Sequence, residues 1–337
     1  MKNNVLINYN FSKSSNDAKH LISGTDQRNL WCYLIIKKLQ NRGYEVLFPN
    51  DFNTKSVKSV DLEIHINFSQ KRSNAKLNIG LFMETPEIEP MNHLSSCAAY
   101  DIVISHNPDL YNAPNHVVSV LPCWDVEALP ETTQPKEHYW SNTFSMIAAN
   151  KNFKNPVKYK DLYKERIRMI EYFEYFYSKQ FKLYGPGWNV RKELLSFPRL
   201  QKVAQKFRIP GNLKSYQGVC VSKNDVIRNS TFNICFENCV YPGYLSEKVF
   251  DAILGGSIPI YWGHHEIPQT LKASIIDASQ FESLKDLIQY CYALNIEERL
   301  EIVKNGSNFL QSDGLRYTHQ EYANQVTRHV EQLLLAQ

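Results

Sequence analysis

Residues 231–263 read TFNICFENCVYPGYLSEKVFDAILGGSIPIYWG, and this stretch decides the fold. Thr231–Phe236 is a short apolar run rich in β-formers, the pattern of a buried strand. Asn238–Gly243 gathers Asn, Pro and Gly, which predicts a loop at that strand's carboxyl end. Ser246 stands where an N-cap belongs, a helix is expected through Leu254, and Gly255-Gly256 ends it. Ile258–Trp262 is again apolar and returns as a parallel strand. The unit is strand–loop–helix–strand, and in such sheets ligands sit where strands end and helices begin.

The charges of this unit point the same way. Lys248 falls in the first helical turn, where the macrodipole disfavours a cation by roughly 0.3–1 kcal/mol. A phosphate seated on the helix N-terminus would reverse that sign. A capped surface helix with its lysine in solvent fits the same positions, because single residues in a first turn decide little. Glu247 beside it and Glu237 on the loop are carboxylates able to hold hydroxyl groups.

With 337 residues the chain is long for one core and suits two domains. At 43% hydrophobic residues and mixed charge it is globular, not disordered. A net charge of +4 suits an anionic small molecule and is far from a nucleic-acid footprint, so no nucleic-acid partner is expected. Seven cysteines are scattered without CxxC or Cys/His ligand spacing, and reduced thiols in a cytoplasmic protein are expected. MKNNVLINYN opens directly into a strand, so no secretory leader is expected. No apolar run reaches about 18 residues, so no transmembrane segment is expected. Peripheral contact with a membrane stays open.

Apolar patterning predicts strands at Val5–Tyr9, Tyr44–Phe48, Asp61–Phe68, Leu77–Met83, Tyr100–Ser105 and Val117–Leu121, with a helix at Asp26–Arg42 and a long polar loop at Ser12–Thr25. Trp124–Glu137 is Pro-rich and aperiodic and marks a linker. Beyond it come a strand at Phe144–Ala149, a helix at Tyr159–Tyr177 and a strand at Phe181–Tyr184; residues 187–225 resist assignment. Ile267–Lys272, Phe281–Ala293, Ile296–Asn305 and Gln320–Leu335 read as helices. Alternating β and α elements imply parallel sheets. The expected division is 1–138, 139–318 and a terminal helix over 319–337. Glu84, in LFMETP at the end of the fourth strand, is placed to face a ligand, or else to serve as a turn residue before a helix.

FNICFEN…GYLSEKVFDAILGGSIPIYWG resembles the donor-binding motif of the α1,3/4-fucosyltransferases, glycosyltransferase family 10, over about thirty positions. Ser246 stands for the family's usual Thr and keeps the hydroxyl, and Cys239 replaces a common Ser or Thr. The resemblance implies the GT-B arrangement: two Rossmann-like α/β domains with the active site in the cleft between them. It implies GDP-β-L-fucose as donor, an oligosaccharide or glycoconjugate acceptor, inversion to an α-fucoside, most simply α1,3 to a GlcNAc-type residue, and no required cofactor or metal. The lack of an animal-type membrane anchor implies a bacterial, cytoplasmic member.

The same resemblance assigns residues. F-M-E-T-P is similar to the family's F-E-S-P, which makes Glu84 the general base. R-I-R-M-I-E-Y-F…FKLYG resembles the family's Arg-bearing helix and following strand, and the apolar register favours Arg166 over Arg168 for the donor pyrophosphate. Lys248 joins Arg166 there, and Glu247 orients the fucose or supports oxocarbenium character. Tyr244 falls at a ribose-contacting position, while Asn150, Asn238, Ser246 and Lys223 complete the donor set. No D-x-D and no Walker A motif occur. His264-His265 reads as loop polar residues, with donor or acceptor contact as the alternative. Other readings are a different GDP-sugar on this scaffold, or a catalytically silent nucleotide- or glycan-binding protein.

Overall fold

The computed structural model describes residues 4–9, 29–48, 60–69, 73–129, 139, 141–153, 157–188 and 213–335. The predicted Ser12–Thr25 loop and residues 189–212 of the unassigned stretch lie outside them. The chain forms two compact units. One comprises Met1–Ala128, Pro242–Leu245 and Leu315–Gln337; the other comprises Leu129–Tyr241 and Ser246–Gly314.

The first unit is built on β1 (Asn4–Tyr9), α1 (Leu30–Asn41), β2 (Glu45–Leu47), β3 (Leu62–Ile66), β4 (Leu77–Phe82), β5 (Ile102–Ser105) and β6 (His116–Val118). The strands pair in the order β2-β1-β3-β4-β5-β6, every pair parallel. β3 and β4 are buried along their whole length, as a sheet covered on both faces requires. The terminal helix His319–Leu335 belongs to this unit and lies against α1, with Trp31 and Tyr322 edge to face at 5.5 Å between ring centroids. Tyr322, Ala323, Val326 and Val330 of that helix share one core with Trp31, Ile35 and Leu39. The strand expected over Val117–Leu121 is shorter, His116–Val118, because Ser119 turns its hydroxyl onto Gln325 of the terminal helix at 2.7 Å.

The second unit comprises β7 (Phe144–Ile147), α2 (Leu162–Phe176), β8 (Phe181–Tyr184), α3 (Lys223–Arg228), β9 (Phe232–Phe236), α4 (Glu247–Leu254), β10 (Ile258–Trp262), α5 (Gln269–Lys272), β11 (Ile276–Asp277), α6 (Leu284–Ala293) and α7 (Ile296–Leu310). Its parallel sheet runs β11-β10-β9-β7-β8. From β7 the chain first steps outward to β8, then returns to lay β9 on the other side. The switch point, where such sheets open a crevice, therefore falls between β7 and β9. Phe144 stacks on Phe232 at 4.9 Å and Phe173 on Phe181 at 4.5 Å, which ties α2 to the sheet beneath it.

Both units are parallel α/β sheets, as the alternation of β and α elements in the sequence implied. The helix predicted to end at Asn305 continues to Leu310, because Gly306 is buried against Ile253 rather than ending a turn; a Cβ there would lie 2.8 Å from the Ile253 methyl. All seven cysteines are free thiols. No described helix is long and apolar enough to cross a membrane.

Candidate active site

The site is built at the carboxyl end of β9. Leaving Phe236, the chain lays Asn238–Val240 along the approach to α2: Leu162 N–H donates to Asn238 O at 3.1 Å and Val240 N–H to Lys160 O at 3.0 Å. It then turns through Pro242–Leu245, which pack in the first unit. Gly243 has φ 72, and a Cβ on it would fall 2.5 Å from the carbonyl oxygen of His106, so the position tolerates only glycine. Tyr244 is buried with its ring 5.6 Å from that of His106. The chain re-enters the second unit at Ser246 and starts α4.

Arg166, Asn238, Ser246, Glu247 and Lys248 of the predicted donor set meet here, together with Glu237, which takes up its neighbours instead of a ligand's hydroxyls. Arg166 is buried on α2 and drives its guanidinium onto the last carbonyl of β9, Nε at 3.1 Å and Nη2 at 2.5 Å from Phe236 O. Nη2 also donates to Asn238 Oδ1 at 3.1 Å, and the guanidinium lies 4.9 Å from the centre of the Tyr163 ring. Ser246 is the N-cap residue by position, but its hydroxyl does not cap. It donates instead to Glu237 Oε2 at 2.7 Å and accepts from Lys248 Nζ at 2.7 Å. Lys248 Nζ reaches the same Glu237 oxygen at 3.0 Å and lies 3.9 Å from Glu247.

The electrostatics follow from these distances. Burial works against the Lys248 ammonium, but Glu237 and Glu247 outweigh it and raise its pKa above the ordinary value, so the lysine is charged at any working pH. Desolvation by the surrounding protein disfavours the half-exposed Glu247 carboxylate, and Lys248 with Lys223 more than offsets this, lowering its pKa. Lys223, at the start of α3, pairs with Asp251 on α4, one turn beyond Glu247. The result is alternating cations and carboxylates at two helix starts, with Arg166 and Lys248 close enough to feel one another.

The remaining predicted residues lie elsewhere. Asn150 follows β7 across the switch point and donates through Nδ2 to Gly187 O at 3.0 Å, fixing the turn after β8. Arg168 does not join the Arg166 cluster. Two residues along a helix is about 200° of rotation, and Arg168 points outward, 63% exposed, into an ion pair with Glu165 at 3.0 Å. The histidine pair lies on the loop after β10; His264 is buried there, accepts from Glu266 N–H at 3.3 Å, and burial beside His265 lowers its pKa.

Glu84 follows β4 in the first unit and is half-buried. Asn67, with φ 58, aims one side-chain oxygen at three donors: Met83 N–H at 2.9 Å, Glu84 N–H at 3.1 Å and Asn92 Nδ2 at 2.9 Å. Asn92 is fully buried and returns a second bond to Glu84 O at 2.9 Å. The Glu84 backbone is thus bracketed by two asparagines that motif reading passed over. Asn67 fell inside the strand predicted over Asp61–Phe68, which the structure ends at Ile66; an asparagine near a strand end was the available signal, because Asn tolerates the left-handed region better than other side chains.

Comparison with known proteins bears on this second-unit geometry. Residues 197–301 match the model of the glycosyltransferase family 10 (fucosyltransferase) C-terminal domain, a span that contains β9, α4 and β10. The match spans somewhat less than a third of the chain. The chain is 30% identical over 113 residues to the α-(1,3)-fucosyltransferase FucT of Helicobacter pylori, covering 33% of this chain and 24% of that protein. The chain therefore matches about a quarter of this curated relative's length. A solved α1,3-fucosyltransferase with GDP-fucose superposes with a TM-score of 0.52 at 16% identity, over 90% of this chain and 81% of that one. An α-glucosyltransferase with UDP and DNA superposes with a TM-score of 0.57 at 12% identity, over 98% and 99%. At these identities the structures share the fold alone, and the fold is common to different donors. Among these likenesses only the match over residues 197–301 and the FucT alignment are likenesses of sequence.

Proposed function

We propose that the chain is an inverting glycosyltransferase that moves L-fucose from GDP-β-L-fucose to a glycan hydroxyl, making an α1,3 bond to a GlcNAc-type residue. The observation that carries this reading is the convergence of Arg166, Asn238, Ser246 and Lys248 on the carboxyl end of β9, the last three inside the family 10 match and Arg166 on the helix before it. Arg166 and Lys248 meet the diphosphate and take up the charge that develops on departing GDP. Glu247, exposed enough to reach solvent, addresses the sugar. Glu84 accepts the acceptor hydroxyl's proton as that oxygen attacks the anomeric carbon and the bond to GDP breaks on the opposite face. The charge on the leaving group is met by side chains, so this chemistry calls for no metal or other cofactor. The test is GDP release with a panel of GDP-sugars against LacNAc-type, chitobiose and lipid-linked acceptors. Release with GDP-fucose and a GlcNAc-containing acceptor supports the reading. Preference for another GDP-sugar, or GDP binding without turnover, replaces it with the corresponding transferase or binding protein.

A further inference from the structure

Glu237 is not available to a substrate. It is fully buried, and both carboxylate oxygens are taken: Oε1 by the Ser246 N–H at 2.8 Å, Oε2 by the Ser246 hydroxyl at 2.7 Å and Lys248 Nζ at 3.0 Å. Its own N–H donates to Trp262 O at 2.8 Å, so its backbone is fixed to the end of β10. The next residue of that strand's exit, Gly263, makes room for it: a Cβ there would lie 2.9 Å from Glu237 Cγ and overlap the Tyr261 hydroxyl. Lys248 Nζ in turn bonds the Ser246 hydroxyl at 2.7 Å, closing a triangle of Glu237, Ser246 and Lys248.

We propose that Glu237 is a positioning residue: it holds the Lys248 ammonium in register with the start of α4, so that the lysine meets the donor diphosphate already in place. A lysine has four rotatable bonds and loses most of their freedom on being fixed. An inward carboxylate that fixes it beforehand removes that cost from binding, which is preorganisation. The same carboxylate draws the Ser246 amide inward, so the helix start and the lysine share one anchor. The diphosphate then meets a set of donors whose spacing is decided by Glu237.

This inference rests on the donor reading above, and two measurements separate them. The first needs no nucleotide. Glu237→Gln keeps an oxygen for the Ser246 N–H but withdraws the negative charge from Lys248. The pH profile for acylation of the Lys248 amine, followed by mass spectrometry, should shift to lower pH in that variant. An unchanged profile overturns the proposal. The second is a double-mutant cycle on GDP binding by calorimetry. Glu237→Gln should weaken GDP about tenfold in the native background and less than about twofold in a Lys248→Gln background, since coupled residues are not additive. Equal losses in both backgrounds overturn the positioning role and leave the donor site standing. A native chain that binds no GDP overturns the donor reading and this role with it. Should Glu237→Gln fail to fold, Ser246→Ala removes the third corner of the triangle and must show the same dependence on Lys248.

Discussion

Asn67 holds Glu84 by its main chain: one amide oxygen accepts the Glu84 N–H at 3.1 Å and the neighbouring Met83 N–H at 2.9 Å, from 17 and 16 positions earlier in the chain. Nothing in the carboxylate's immediate sequence provides this. The strand end would otherwise leave those two donors unsatisfied, and the direction in which Glu84 leaves β4 would be free. Asn67→Ala removes the acceptor and puts a Cβ-bearing residue without a local hydrogen bond at φ 58. We expect a stability loss of about 2–3 kcal/mol, from lost buried hydrogen bonds. Turnover should fall further than stability explains, while GDP affinity, if set by the donor residues proposed in the second unit, holds. Equilibrium denaturation, calorimetry with GDP and initial rates on one purified variant check all three.

Arg166 and Arg168 make a matched pair for the donor site. Arg166→Ala should weaken GDP binding by about 1.5–3 kcal/mol, the range for charge-assisted hydrogen bonds. It also leaves the Phe236 carbonyl without this donor, so some stability goes with it. Lys248→Ala should weaken GDP by a similar amount. Arg168→Ala, which loses a largely exposed ion pair, should change binding and stability by less than about 0.5 kcal/mol. Loss of GDP affinity in the Arg168 variant with none in the Arg166 variant would exchange their roles.

Gly243 tests the turn that carries Tyr244. Gly243→Ala sets a methyl 2.5 Å from the His106 carbonyl at a left-handed φ. The expected cost is about 1–3 kcal/mol. Because Ser246 and Lys248 follow within five residues, GDP affinity should drop with stability. A variant of native stability and affinity would mean that the loop has another conformation of equal energy.

Side-chain neutralisation of the leaving group predicts that transfer persists in excess EDTA, with at most modest stimulation by divalent ions. Complete loss on chelation, restored by Mn²⁺, would assign the diphosphate charge to a metal instead.

The second sheet was legible because its elements are short and locally encoded. β8 and β10 coincide with the apolar runs Phe181–Tyr184 and Ile258–Trp262, and α4 begins at the residue after Ser246. The terminal helix showed its apolar face in Tyr322, Val326 and Val330, but its partner did not show. Periodicity gives a face and not the surface that covers it, and here that surface is Trp31, Ile35 and Leu39, some 290 residues earlier. The inward turn of Glu237 was hidden for a related reason. A carboxylate on a loop reads as exposed until the loop's path is known, and this path brings Ser246 and Lys248 back onto it. Gly306 misled in the opposite sense, since a glycine near a helix end reads as a stop, whereas here it is a close contact with Ile253.

Glu84 is where the mechanism is most exposed. If it is the base, Glu84→Gln keeps its volume and a hydrogen-bonding end but cannot take a proton. Its backbone bonds to Asn67 and Asn92 are untouched by the change, so the turn should persist. Transfer should then fall by roughly 10²–10⁴, with GDP affinity and thermal midpoint close to native. A structural Glu84 would give the opposite pattern, a lower midpoint with parallel losses in binding and rate. Retention of more than about a tenth of native turnover would remove Glu84 as the base, because general-base catalysis is worth more than that. The substitutes are few. Glu63 is fully buried and committed to Asn8 at 2.9 Å and to the Ser73 hydroxyl at 2.7 Å, so it meets no acceptor. The search would pass to Glu87, half-buried on the turn that follows Glu84, and Glu87→Gln would be the variant to measure next.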